Sequence, residues 1–155
     1  MTTASDTDRI KRSILINANR SRVWRALSNA EEFGAWFGVD LAGQAFAPGA
    51  RARGPLTHRG YEHIVFEALI ERIEPEDVLS CHWHPHAVDP AIDYSQEQPT
   101  LVTFTLEDAP GNAILLTVVE SGFDKIPPHR RQAFEMNSGG WEAQLKNIAR
   151  HADSQ

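Results

Sequence analysis

Residues 127–151 of this 155-residue chain, PPHRRQAFEMNSGGWEAQLKNIARH, form the segment around which the other elements are arranged. Side chains recur there at steps of three and four, which predicts one long amphipathic helix. Its buried stripe consists of Phe134, Ser138, Trp141, Leu145 and Ile148. Because the segments upstream read as strands, we expect the helix to lie across an apolar sheet surface. The pair Pro127-Pro128 suits the helix start, where a missing amide hydrogen costs nothing.

Two adjacent glycines, Gly139 and Gly140, interrupt this predicted helix. A glycine in a helix interior costs about 1 kcal/mol relative to alanine. We therefore expect a close approach of another backbone at that level, or a bend or empty volume beside it.

Composition limits the class of protein. A chain that is 41% hydrophobic at this length can bury a core as one domain. We expect a disordered lead at residues 1–8, one domain over residues 9–151 and a tail at residues 152–155. The 15 basic and 21 acidic residues give a net charge of −6, which argues against a nucleic-acid partner.

The single cysteine excludes an internal disulfide and a zinc site built from several cysteines, and it fits a reducing compartment. No apolar run approaches the roughly 18 residues that span a bilayer, so we expect no membrane partner and a cytoplasmic location.

Alternating and glycine-punctuated segments predict a mainly antiparallel sheet. Two short helices follow the first strand, one after Asn19 and one from Asn29 or Ala30 to just before Gly38. The expected strands lie at residues 9–16, in three short pieces within 39–60, and at 63–73, 78–84, 100–106 and 113–121. An irregular loop at residues 85–99 separates the last two from the rest.

These elements predict an α+β fold. The long C-terminal helix would lie across the concave face of a curved antiparallel sheet of six or seven strands. A single helix covers only part of such a face, so a cavity between helix and sheet is expected.

Three segments carry a resemblance to a known family: VWRALSNAEEFGAWFGVDLAG at residues 23–43, EPEDVLSCHW at 74–83, and ESGF at 120–123 followed by NSGGWEAQLKNIARH at 137–151. In order and spacing they resemble homologues of the activator of the heat-shock-protein-90 ATPase, which are START-like (SRPBCC) helix-grip domains. The resemblance covers nearly all of residues 9–151. It implies a cavity architecture, in a superfamily that ranges over lipid carriage, cyclisation chemistry and co-chaperone work.

The expected ligand cavity is lined mostly by aromatic side chains. These could equally fill the interior as a core, so the cavity rests on the helix-over-sheet geometry and on the resemblance. The expected lining consists of Trp36, Phe37, Phe66, Trp83, Phe104, Val118, Glu120, Phe134, Asn137 and Trp141.

Glu120 is the expected polar contact in this cavity. It lies on the same face of its strand as Val118 and two further aliphatic residues, because alternate residues share a face, so it points inward if they do. Such a carboxylate is either exposed at a rim, or buried with a raised pKa that suits a general acid or base. The plainer alternative is an ion pair with Arg51 or Arg53.

Histidines form a second candidate cluster, because His82 and His84 point the same way on a strand and can chelate zinc. A third ligand would come from His86, Asp89 or Asp93. The apolar residues of that strand occupy the opposite parity, which places the histidine pair on the outer face, away from any cavity. We therefore expect an exposed histidine pair with no metal, and no cofactor elsewhere.

Cys81 is expected to be a small core residue, since no histidine is predicted beside it. The favoured function is the binding of a small hydrophobic molecule in the cavity. One alternative is a chaperone-accessory interaction module, and another is a cyclase- or hydrolase-type enzyme, which would need two converging titratable groups. The chain is expected to be a monomer or a homodimer.

Overall fold

The computed structural model describes residues 8–84, 91–130 and 132–153. Six strands form one sheet in the order β1-β6-β5-β4-β3-β2, and every neighbouring pair is antiparallel. The strands are β1 (Arg9–Ile16), β2 (Arg51–Pro55), β3 (Val65–Glu74), β4 (Val78–Trp83), β5 (Thr100–Ala109) and β6 (Ala113–Ser121). The expected α+β helix-grip architecture is confirmed, with six strands in the sheet.

Two short helices, α1 (Arg20–Ser28) and α2 (Ala30–Phe37), follow β1. Each begins at an asparagine whose side-chain oxygen accepts a backbone amide: Asn19 from Arg22 at 2.8 Å and Asn29 from Glu32 at 3.0 Å. Gly38 ends α2 in the left-handed conformation with φ +99°. The caps thus fix both helix starts, as the sequence indicated.

The long helix α3 (Gln132–Asp153) begins later than the sequence predicted. The proline pair precedes it, and a 3-10 turn at Pro128–Arg130 comes first, so the prolines are not first-turn residues of α3. The fully buried residues of α3 are Ala133, Trp141, Leu145, Ile148 and Ala152. Phe134 and Ser138 are half-buried, and Ser138 accepts a hydrogen bond from Arg12 of β1 at 2.5 Å.

The segment at residues 39–60 contains one strand rather than three. Only β2 pairs with β3, and Val39 makes a single bridge to Leu56. The chain folds tightly here because glycines allow close backbone contact. A Cβ on Gly34 would collide with the carbonyl oxygen of Val39, and a Cβ on Gly54 with that of Asp40.

Of the alternatives expected at Gly139 and Gly140, the close approach of another backbone does not occur. Both residues are exposed, and a Cβ built on either meets nothing within 4 Å. Gly34 and Gly54 are therefore the glycines that packing requires. The pair in α3 faces open space.

A charged network joins the three helices. Glu32 of α2 contacts Arg22 and Arg25 of α1, each at 2.8 Å, and the Nε2 atom of His151 of α3 at 2.9 Å. Burial raises the pKa of Glu32, but the hydrogen bonds from His151 and Arg22 outweigh it, so the pKa is lowered overall. This network holds the C-terminal end of α3 to the short helices.

The lead and tail predicted at residues 1–8 and 152–155 lie largely outside the described residues. Asp8 is described: its backbone oxygen accepts from Gly122 and Phe123, each at 3.1 Å, so it does not belong to a disordered lead. At the other end, α3 continues through Asp153. Among the described residues, no helix combines the length and apolar character required to cross a membrane.

Candidate functional site

Aromatic rings fill the space between α3 and the sheet at the level of Trp141. This residue is 3% exposed, and its ring stacks on Trp83 with centroids 5.5 Å apart and planes at 20°. Phe104 of β5 meets Trp141 edge-on at 5.6 Å, and Phe37 of α2 lies 5.8 Å from Trp83. The interior beside the centre of α3 is therefore packed by protein side chains.

Glu120 lies within this aromatic cluster and is fully buried, with 0% exposure. Its Oε2 accepts hydrogen bonds from Trp83 Nε1 and Thr100 Oγ1, both at 2.5 Å. Its Oε1 accepts from Trp141 Nε1 at 2.9 Å and Asn137 Nδ2 at 3.0 Å. Four donors from β4, β5 and α3 thus converge on one carboxylate of β6.

No cation accompanies this carboxylate among the described residues. The alternative interpretation, an ion pair with Arg51 or Arg53, does not hold among the described residues, where Arg51 lies 3.7 Å from Glu67. A buried charge without a counter-ion is expensive unless hydrogen bonds replace its hydration. Each indole N–H can only donate, so the four-donor set matches the acceptor-only character of a carboxylate.

Thr100 is a partner that the sequence analysis missed. It shares its parity with Val102 and Phe104, both buried, so the alternation of β5 already contained the signal. Thr100 itself is 0% exposed.

Cys81 is buried on the inner face, as expected. Burial, and then the nearby charges of Glu120 and Glu71, raise the pKa of the Cys81 thiol to about 12. The thiol therefore stays protonated at neutral pH, which is unsuitable for a nucleophile.

An open cavity of about 700 Å³ adjoins the aromatic cluster. On its inner side it is lined by Phe37 at the end of α2, Phe66 of β3, Trp83 of β4 and Asn137 of α3, together with Leu56 and Ile64. This volume is within the range of small-molecule sites, and most of these side chains are apolar. The open space thus lies toward the β2–β3 end of the sheet rather than at the centre of α3.

Residues 92–99 supply a further part of the cavity wall, including Ile92, Tyr94 and Glu97. Glu97 pairs with Arg130 at 3.0 Å, and these side chains are only 11% and 7% exposed. The Arg130 guanidinium also lies 4.4 Å from the centre of the Tyr94 ring. These contacts attach the wall to the turn that precedes α3.

The histidine pair is not remote from the cavity, contrary to the prediction. His82 and His84 both line it, because side chains from both faces of β3 and β4 contribute to the wall. His82 also contacts Glu71. Asp93 lines the cavity as well. His86 and Asp89 lie outside the described residues, so a three-ligand metal site at this cluster stays untested.

His84 lies at the cavity, and its buried Nδ1 has no hydrogen-bond partner among the described residues. Burial lowers the pKa of His84. The Glu97 charge opposes that effect, and the Arg130 charge adds to it. Its imidazole is therefore neutral over a wider pH range than that of a solvent-exposed histidine.

Four of the ten residues expected around the ligand line the cavity: Phe37, Phe66, Trp83 and Asn137. Five others belong to the packed interior, namely Trp36, Phe104, Val118, Glu120 and Trp141. Phe134 packs against Phe123 in a separate pair, with centroids 5.3 Å apart. Glu120 is therefore hydrogen-bonded to two lining residues without being one of them.

The fold and the cavity together define a helix-grip, START-like domain. The chain belongs to the family of Activator of Hsp90 ATPase homolog 1-like proteins, whose sequence profile matches residues 17–153. No protein with a curated description matches the sequence significantly.

Solved structures show the same fold. A crystal structure of a Mesorhizobium loti protein is 24% identical, covers 95% of this chain and 98% of its own, and superposes with a TM-score of 0.72. DynU16, from the dynemicin biosynthetic locus, is 23% identical over 92% of this chain and 46% of its own, with a TM-score of 0.68. The Aha1 dimer from Colwellia psychrerythraea is 16% identical over 90% and 92%, with a TM-score of 0.65.

Proposed function

We propose that the protein binds a small, largely apolar molecule in the cavity between the β2–β3 end of the sheet and α3. The observation that carries this proposal is the open volume of about 700 Å³ walled by Phe37, Phe66 and Trp83. Removing an apolar surface of this kind from water lowers the free energy, which favours binding.

The aromatic cluster supports the proposal by holding the wall in place. Trp83 stacks on Trp141 and donates its indole hydrogen to Glu120. These contacts hold the Trp83 ring from the side opposite the cavity. Phe37 and Phe66 lie 5.3 Å apart and extend the same surface. A wall that is already organised loses less conformational entropy when a ligand binds.

The magnitude expected for a fitting ligand is modest. Burial of about 200 Å² of apolar surface contributes roughly 5 kcal/mol at about 25 cal/mol per Å². Loss of translational and rotational freedom offsets part of this, so neutral two-ring compounds should bind with Kd values of about 0.2 mM or weaker.

The first experiment is a thermal-shift and calorimetric screen with neutral aromatic alcohols, beginning with 1-naphthylmethanol. A ligand at about 10 times its Kd stabilises the folded state by about 1.4 kcal/mol, so Tm should rise by about 3–6 °C.

A matched pair of variants tests whether the ligand binds in this cavity. Ile64→Trp adds bulk to a residue that lines the cavity, and it should weaken binding at least tenfold. Leu15→Trp adds the same ring to β1, at a side chain that is 59% exposed and not part of the cavity lining, and binding should be unchanged. Equal affinity in both variants would place the ligand elsewhere.

The family description favours a second candidate, a chaperone-accessory module that binds Hsp90 through its surface. The packed interior around Trp141 is compatible with that function, which requires no ligand. Calorimetry with purified Hsp90 distinguishes the two: micromolar affinity for the chaperone with no response across the ligand panel would support the module.

A further inference from the structure

The inner wall of the cavity has few hydrogen-bond donors available to a ligand. Trp83 has one polar hydrogen, and it is donated to Glu120. Asn137 donates one of its two amide hydrogens to the same carboxylate, which turns its carbonyl oxygen away from Glu120 as a remaining acceptor. That oxygen can accept a hydrogen bond from a donor that the ligand brings.

The charges around the cavity are unequal. The Arg51 and Glu67 side chains lie 3.7 Å apart, and Glu97 lies 3.0 Å from Arg130, so these pairs largely cancel. Glu120 has four neutral donors and no cation among the described residues. Its carboxylate lies directly behind Trp83 and Asn137, two residues of the cavity lining.

A fixed charge behind a thin, apolar wall affects a bound ion strongly, because little water separates them. Glu120 itself is inaccessible, so its effect on a ligand is through space and through the orientation of Asn137.

From these observations we infer that the cavity selects apolar molecules that carry an amine, and disfavours carboxylic acids of the same shape. This inference rests on the proposed function, because it names the chemical class of ligand for the same cavity. The ammonium group would lie near the carbonyl oxygen of Asn137, with the apolar body against Phe37, Phe66 and Trp83.

The test uses three compounds with one naphthyl body: 1-naphthylmethylamine, 1-naphthylmethanol and 1-naphthoic acid. At neutral pH they are cationic, neutral and anionic, respectively. Isothermal titration calorimetry on the full chain should show the amine binding about tenfold more tightly than the alcohol, and the acid about tenfold more weakly. An equal or reversed order overturns the inference, whereas no binding by any of the three overturns the proposed function.

Two variants, each of which removes one carboxylate, test whether Glu120 causes the preference for the amine. Glu120→Gln should lower the affinity for the amine to about that of the alcohol. Glu107→Gln removes an exposed carboxylate of β5 and should leave the order unchanged. A folded Glu120→Gln protein that keeps the tenfold preference contradicts the assignment, and the wild-type series decides the ligand class even if this variant does not fold.

Discussion

Replacing Glu120 by glutamine should destabilise the fold by about 2 kcal/mol. Both carboxylate oxygens accept two donors, so the new amide nitrogen must face one of these pairs. The Thr100 hydroxyl or the Asn137 amide can turn to accept, but an indole N–H cannot. One tryptophan donor, from Trp83 or Trp141, is then buried without a partner, which costs about 1–3 kcal/mol.

Urea unfolding followed by tryptophan fluorescence measures this effect, with thermal unfolding as a second readout. For a chain of this size the expected loss corresponds to about 4–8 °C in Tm. Glu107→Gln is the control and should change stability by less than about 0.5 kcal/mol, because that carboxylate is exposed. A Glu120→Gln protein as stable as the wild type would refute the reasoning, since removing the buried charge would then fully offset the loss of the tryptophan hydrogen bond.

Two further predictions concern glycine positions and acid stability. Gly34→Ala should destabilise by about 2–3 kcal/mol through its clash with a backbone carbonyl, while Gly140→Ala, which faces open space, should stabilise by about 1 kcal/mol; urea midpoints in the opposite order would contradict this. The pKa of Glu32 is lowered from 4.5, so its stabilising contribution is complete above that pH and is lost as the pH falls through the lower folded value. Glu32→Gln should therefore lose less stability than the wild type between pH 5 and pH 3 by circular dichroism, and an identical acid transition would argue against the helix network.

The bounds expected for β1 and β6 match the structure. In both strands the even-numbered side chains are the ones turned to the core, and such a one-sided pattern specifies a strand that packs through one face. The prediction of three short strands within residues 39–60 was wrong for a physical reason. Glycine and proline mark turns equally well between strands and within a folded loop, and only β2 finds a strand partner.

The site was predictable only in part. Parity placed Glu120 on the inner face, and the structure shows it buried there. Its donors come from residues 17 to 37 positions away in sequence, so their convergence depends on how α3 crosses the sheet. Alternation along the strand assigned His84 to the outer face, away from any cavity, yet His84 lines the cavity, which a period-two pattern cannot reveal.

Binding in the cavity can be tested directly through the four tryptophan indole N–H signals in a ¹H–¹⁵N correlation spectrum. With 1-naphthylmethanol added to saturation, the Trp83 signal should shift most, because its ring lines the cavity while its N–H is held by Glu120. The Trp24 signal, from α1, should stay in place, since that residue is not part of the cavity lining. If no indole signal moves, or if Trp24 shifts and Trp83 does not, this cavity is not the ligand site.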